Sequence, residues 1–320
     1  MRKVAISLLA GLAVVGVGLG STWAEAREGS LREMLRARII ERRLAGNDAN
    51  KAPPAARPQS LSYGPDPLQV LDFWPAQRPA GAAKAPAPLI VFVHGGGWKR
   101  GSKDNAAGGW KQVHYPAAGY AYASINYRLV PGATVEQQGA DVAAALKALL
   151  DRAGPLGIDR SRVVLMGHSA GAHLVALVGT DEQYLRGAGL SFRAVTGVIP
   201  IDGAAYDVPR QIAEGGRFMH DTYLEAFGSD PARQRALSPI LQAAAPNAPA
   251  FLLVHVQRED GVAQNKALEA ALRQAGTRVE RKDFPGTGLS GHAEINRRMG
   301  DPDYAATPVT DAWLKQMFGG

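Results

Sequence analysis

The chain has 320 residues, 46% of them hydrophobic, a formal net charge of +7 and no cysteine. That size suits one large or two small globular domains with a sizeable core, and the missing cysteines exclude a disulfide framework and a lipid-carrying thiol. The basic balance would suit a nucleic-acid partner, but much of it lies in Arg2, Lys3 and the stretch Arg27, Arg32, Arg36, Arg38, Arg42, Arg43, Lys51 and Arg57, where no aromatic residue interleaves to stack on bases, so none is expected.

Residues 1–26 read as a secretory signal: a basic start, an apolar run from Val4 to about Leu19, and Ala24-Glu25-Ala26 as a cleavage site. Cleavage would start the mature chain near Arg27, in the periplasm or the medium, with no stable membrane insertion afterwards. The alternative is an uncleaved anchor, because the run approaches the roughly 17-residue lower limit for spanning a bilayer. Residues 27–59 follow as a basic amphipathic helix and a linker. Ser30 and Glu33 form a capping box, Leu31, Met34, Leu35, Ile39 and Ile40 recur at helical spacing, and Ala and Pro dominate from residue 48.

From residue 60 to 320 the pattern alternates between strands and helices, which predicts an α/β fold with a mostly parallel central sheet flanked by helices. Two short strands at residues 61–63 and 70–74 would pair as an antiparallel edge. Continuous apolar runs at 89–93 and 120–127 read as buried strands, with a helix expected over 104–117 between them. Helix 135–152, strand 163–166, helix 170–178 and strand 194–201 come next. Residues 203–247 exceed what a crossover needs and predict a cap insertion over the sheet's carboxyl edge. Strand 251–256, helix 262–275, strand 279–284 and helix 309–317 complete the domain.

Gly167-His168-Ser169-Ala170-Gly171 falls between a predicted strand and a predicted helix, the context of a nucleophile elbow. Small residues flank Ser169 because side chains at 167 and 171 would collide with neighbouring backbone in so tight a turn. His94-Gly95-Gly96-Gly97-Trp98 closes the strand at 89–93 on the same sheet edge. The N–H groups of Gly96, Gly97 and Ala170 could there surround the oxygen that turns negative when a serine attacks a carbonyl. A phosphate loop would need a following GK[ST] or a GxGxxG pattern, and neither is present.

A serine hydroxyl needs a base, and in the chain order serine, acid, histidine His292 fits, in a glycine-rich loop expected after residue 284. His94, His114, His220 and His255 fall in the glycine turn, too early, or inside a strand. Asp260, shortly after strand 251–256, is the expected acid, with Glu259 as its rival. Asp202 also ends a strand, one step too early, and a cap or substrate-side role is expected of it. Trp98, His168 and Tyr206 are candidate pocket residues, with Phe218, Met219 and Tyr223 as further walls. No metal or organic cofactor is needed.

At these residues the chain resembles the α/β-hydrolase superfamily, and within it the esterases with an HGGG turn: the hormone-sensitive lipase group and the feruloyl-esterase-like and kynurenine-formamidase-like branches. His94 to Trp98, Asn126-Tyr127-Arg128-Leu129, Gly167 to Gly171, Ser238-Pro239, Asp260 and His292 carry the resemblance. His168, where many hormone-sensitive lipase relatives have an acidic residue, and Tyr63-Gly64-Pro65-Asp66-Pro67 point to the latter two branches. The resemblance implies hydrolysis of a small-molecule carboxylic ester through an acyl-enzyme, with Arg128 and Asp141 structural. An arylformamidase or amidase on the same residues is the alternative, and a binding protein on a degenerate scaffold would be expected to have lost one of the three.

Overall fold

The structure, a computed structural model, describes residues 52–78, 85–215 and 217–319, without the side chains of residues 217 and 218. The expected signal, the basic helix and the side chain of Phe218 lie outside the described residues. Eight strands form one sheet: β1 (Gln59–Ser62), β2 (Val70–Trp74), β3 (Ala87–Val93), β4 (Ala121–Ile125), β5 (Ile158–His168), β6 (Gly197–Ile201), β7 (Ala250–Gln257) and β8 (Arg278–Thr287). Their order is β1-β2-β4-β3-β5-β6-β7-β8; β1 and β2 make the expected antiparallel edge, and β3 to β8 run parallel.

Period-two alternation divides the core between the two faces of the sheet. Leu89, Val91, Val93, Val163 and Leu165 pack with Leu146 of α2 (Val135–Asp151) and Leu174 of α3 (Ala170–Thr180). Ile90, Phe92, Val164 and Met166 join Tyr115 of α1 (Lys111–Ala117) on the other face. Helix α2 begins at a complete capping box, in which Thr134 Oγ1 accepts from Gln137 N and Gln137 Oε1 accepts from Thr134 N.

The predicted cap is four helices: α4 (Val208–Glu214), α5 (Arg217–Phe227), α6 (Pro231–Ala236) and α7 (Pro239–Gln242). Asp207 and Asp230 cap α4 and α6 through their carboxylates. After the cap come α8 (Glu259–Gln274), α9 (Gly288–Arg298) and α10 (Ala306–Phe318). Among the described residues no helix is long and apolar enough to cross a membrane.

Several elements differ from expectation. The helix expected over 104–117 is confined to α1, because Ser102 Oγ accepts from the N–H groups of Asp104 and Asn105, and Gly108 has a φ of 77°. Helix α8 begins at Glu259 instead of residue 262, with Glu259 and Asp260 in the first turn, where the helix dipole favours acids. His292 lies on α9, not in a loop.

Candidate active site

Ser169 links β5 to α3 with φ 55° and ψ −118°, a conformation that costs a non-glycine residue about 1–3 kcal/mol. The neighbouring glycines make it possible. A Cβ on Gly167 would lie 2.3 Å from Gly171 O, and one on Gly171 would lie 2.1 Å from Val93 O. Ser169 N donates to Ile201 O at 3.1 Å, and His173 N donates to Ser169 O at 3.1 Å as α3 starts, so the elbow is pinned to the end of β6.

The glycine turn packs against this elbow. A Cβ on Gly95 would stand 2.9 Å from both Ser169 Cβ and His168 O, and one on Gly96 would meet Arg100 O at 2.1 Å. Gly96, Gly97 and Trp98 have φ of 128°, 61° and 61°. In front of Gly97 the nearest atom to an added Cβ is the methyl of Thr222 on α5, at 3.0 Å. The turn's first residue, His94, is buried and stacked on Tyr127, whose hydroxyl donates to His94 O. Burial pushes the His94 imidazole down to about 4, only partly opposed by its hydrogen bond to Gly95 O.

His292 finds its carboxylate on the neighbouring strand end. Its Nδ1 lies 2.5 Å from Asp202 Oδ2, and the Asp202 side chain is fully buried. Asp202 stands immediately after β6 with φ 45°. Its N–H donates to Val254 O at 2.6 Å, its Oδ1 accepts from Val256 N at 3.1 Å and its Oδ2 accepts from Arg258 Nε at 3.0 Å. Burial pushes this carboxyl up, but the His292 hydrogen bond, the Arg258 charge and the Val256 N–H outweigh it and hold it at about 2.

Asp260, expected in that place, is elsewhere. Its Oδ2 accepts from Gln211 Nε2 at 3.3 Å and from Arg258 at 3.4 Å, and its side chain is 40% exposed. With α8 starting directly after Arg258, Asp260 is committed to the first helical turn beside the cap. The role expected of Asp202 at the cap is likewise not what it touches: its carboxylate faces the histidine.

Helix α9 is fixed from several sides. A Cβ on Gly291 would lie 2.6 Å from Gly286 C, so the end of β8 folds closely over the first turn of the helix. The fully buried Lys111 donates to Ala107 O at 2.7 Å, to Asn296 Oδ1 at 2.9 Å and to Asn296 O. His168 Nε2 donates to His292 O at 3.0 Å, and the two rings are 4.4 Å apart. Burial, then the adjacent His292, hold the His168 imidazole well below the ordinary histidine value.

The three candidate pocket residues are all buried. Trp98 packs its ring against His173, Phe227 and Tyr223, and its Nε1 donates to His173 Nδ1 at 3.3 Å. Tyr206 lies under Gly203, where an added Cβ would meet its hydroxyl at 2.2 Å. The sequence pattern did not point to Arg258 and placed Asp202 at the cap; the signal for the contact of Asp202 with His292 was an Asp-Gly pair closing the apolar strand that runs through Ile201.

The parallel strands, the elbow at the carboxyl end of β5 and the inserted cap define an α/β-hydrolase. Residues 77–272, more than half of the chain, match the BD-FAE family, and the chain belongs to it. Over 212 residues it is 34% identical to Esterase LipC of Mycobacterium tuberculosis, covering 62% of this chain and 50% of that protein. Over 193 residues it is 32% identical to the "Probable N-octanoylanthranilate hydrolase AqdA2" of Rhodococcus erythropolis, covering 52% of this chain and 39% of that one. The chain thus spans about half the length of LipC. In fold it is similar to the crystal structure of esterase B from Lactobacillus rhamnosis, with a TM-score of 0.67 at 22% identity over 94% of each chain.

Proposed function

We propose that the protein hydrolyses carboxylic esters through an acyl-enzyme on Ser169, with His292 as base and Asp202, in place of Asp260, as the acid that orients it. The observation that carries this reading is the Asp202–His292 pair at the end of β6, the strand to which the strained Ser169 is pinned through Ile201 O. Because Nδ1 of His292 is engaged by Asp202, Nε2 is the nitrogen that takes the serine proton. Ser169 Oγ then bonds to the carbonyl carbon, and the oxygen gains its negative charge facing the N–H groups of Gly96, Gly97 and Ala170. Each such donor contributes on the order of 10²- to 10³-fold in rate. His292 returns the proton to the departing alkoxide, and water, deprotonated by the same imidazole, releases the acid and restores Ser169.

The test is Ser169→Ala on p-nitrophenyl butyrate, expected to lose about 10⁴-fold or more in kcat with the circular dichroism spectrum unchanged. A fluorophosphonate should label the wild type on the peptide containing Ser169. Turnover retained by the variant would overturn the assignment. A second reading, cleavage of an N-acyl bond on the same residues, is favoured by the likeness to the R. erythropolis protein, whose name specifies an N-acyl substrate. Comparing kcat/KM for p-nitrophenyl octanoate and octanoyl p-nitroanilide separates the two: an ester preference of about 10²-fold or more supports the first, and near-equal values the second.

A further inference from the structure

The acid of the proposed triad has a second partner that the reaction outlined above does not use. Arg258 stands between β7 and α8, and its side chain is 14% exposed. Its Nε donates to Asp202 Oδ2 at 3.0 Å, the same oxygen that accepts from His292 Nδ1 at 2.5 Å, and its Nη2 reaches Asp202 O at 3.4 Å. Its Nη1 lies 3.4 Å from Asp260, which Gln211 Nε2 holds at 3.3 Å, and Gln211 Oε1 in turn accepts from Ala205 N at 3.2 Å. The result is an unbroken chain of hydrogen bonds from His292 through Asp202, Arg258 and Asp260 to the first helix of the cap.

We propose that Arg258, held in place by Asp260, is a positioning residue for the Asp202–His292 pair: its planar fork fixes the carboxylate with Oδ2 towards the imidazole, and its charge limits how strongly that carboxylate favours the imidazolium. This rests on the reading of Asp202 as the triad acid. A carboxylate with one donor can rotate about its last torsion, whereas Asp202 is held at Oδ1 by Val256 N, at Oδ2 by Arg258 and at its backbone by both Val254 O and Arg258. A cation shared with the acid also offsets part of its negative charge, which makes the base quicker to return its proton to a leaving group.

Among the described residues, the other titratable and charged groups around the pair and Arg258 include His168 from β5, His255 from β7, Lys111 from α1, Asp260 from α8, Tyr223 from α5, Tyr206 and Tyr304. The Lys111 Nζ is engaged by Ala107 and Asn296, and burial pushes this amine well below the ordinary lysine value, leaving Arg258 as the cationic side chain bonded to Asp202.

The test measures kcat and KM for p-nitrophenyl butyrate from pH 5 to 9 in Arg258→Met, Arg258→Lys, Asp202→Asn and Asp260→Asn, with thermal unfolding of each. Arg258→Met is expected to lower kcat about 10- to 100-fold, as a small misplacement of the base does, while KM stays within about threefold. The acid limb of its kcat/KM profile should move up by about one pH unit. Arg258→Lys keeps the charge and loses the fork, so the limb returns to its wild-type position while kcat recovers only in part. Should Arg258→Met fail to fold, Arg258→Gln takes its place with the same expected limb shift.

A wild-type limb in the neutral variant, or a change in KM alone, overturns the proposal. If Asp202→Asn abolishes turnover and Arg258→Met leaves the limb in place, the proposal alone falls. If Asp260→Asn abolishes turnover and Asp202→Asn does not, the triad reading itself falls, and the proposal with it.

Discussion

Ser169 and Asp202 hold positive φ without being glycine, at the ends of adjacent parallel strands. Each conformation costs about 1–3 kcal/mol, and each survives because its surroundings leave no alternative: crowded glycines around the serine, and donors on every side of the aspartate. The buried carboxylate is the costlier group to disturb. Asp202→Asn offers His292 an amide where it needs an acceptor, so the wrong tautomer is favoured, and kcat should fall about 10⁴-fold with the fold retained. Asp260→Asn changes a 40% exposed group that touches only Gln211 and Arg258 among the contacts described, and kcat should stay within about tenfold of wild type. Steady-state kinetics on one chromogenic ester decide both.

Among elements, what matters is how closely the glycine turn and the elbow approach. Gly95 sits where a methyl group would press on Ser169 Cβ and His168 O, each 2.9 Å away. Gly95→Ala is therefore expected to push the turn outward by a few tenths of an ångström or more. In the proposed mechanism that loosens the grip of the Gly96 and Gly97 N–H groups on the oxyanion, and kcat is expected to fall on the order of 10²-fold. The melting temperature should fall far less than in Gly171→Ala, whose Cβ would lie 2.1 Å from Val93 O inside the sheet. A drop in kcat no larger than the loss of folded protein would count against this account. The cap is joined to the same turn through Trp98, packed on Phe227 and Tyr223 of α5, and through Lys99 paired with Glu225.

For the whole molecule, buried titrating groups set the stability at low pH. Trp98 Nε1–H donates to His173 Nδ1, so His173 carries its proton on Nε2 and donates it to Leu237 O at 2.9 Å. Burial, opposed by that bond, holds this imidazole at about 4, and His94 stands at about 4 as well. Both values are depressed relative to the roughly 6.5 of an unfolded histidine, so the unfolded chain binds the protons first. Their contribution is complete above pH about 6.5 and lost as pH falls to about 4, roughly 3 kcal/mol for each. Asp202, depressed from about 3.9 unfolded to about 2, adds roughly 2–3 kcal/mol that disappears below pH 4. Urea midpoints should accordingly drop steeply between pH 6.5 and 4, and His173→Gln, which abolishes one of these titrations, should show a shallower slope. Equal slopes would contradict the assignment.

Local pattern was enough for the strand-helix alternation, the antiparallel edge, the cap and the elbow, because each is written in short-range terms: apolar runs of strand length, a segment at 203–247 longer than a crossover needs, glycines flanking Ser169. Position along the chain also singled out His292, although as part of a loop, since the helical packing of Gly291 on Gly286 involves a strand end that periodicity does not show. The acid was another matter. Both Asp202 and Asp260 satisfy the order serine, acid, histidine, and counting strands favoured the later one. What separates them in the structure is which carboxylate the fold desolvates and aims at Nδ1 of His292. That depends on α8 starting at once after Arg258, on the donors Val256 and Arg258 arriving from β7, and on β6 lying between β5 and β7, none of which a linear sequence states.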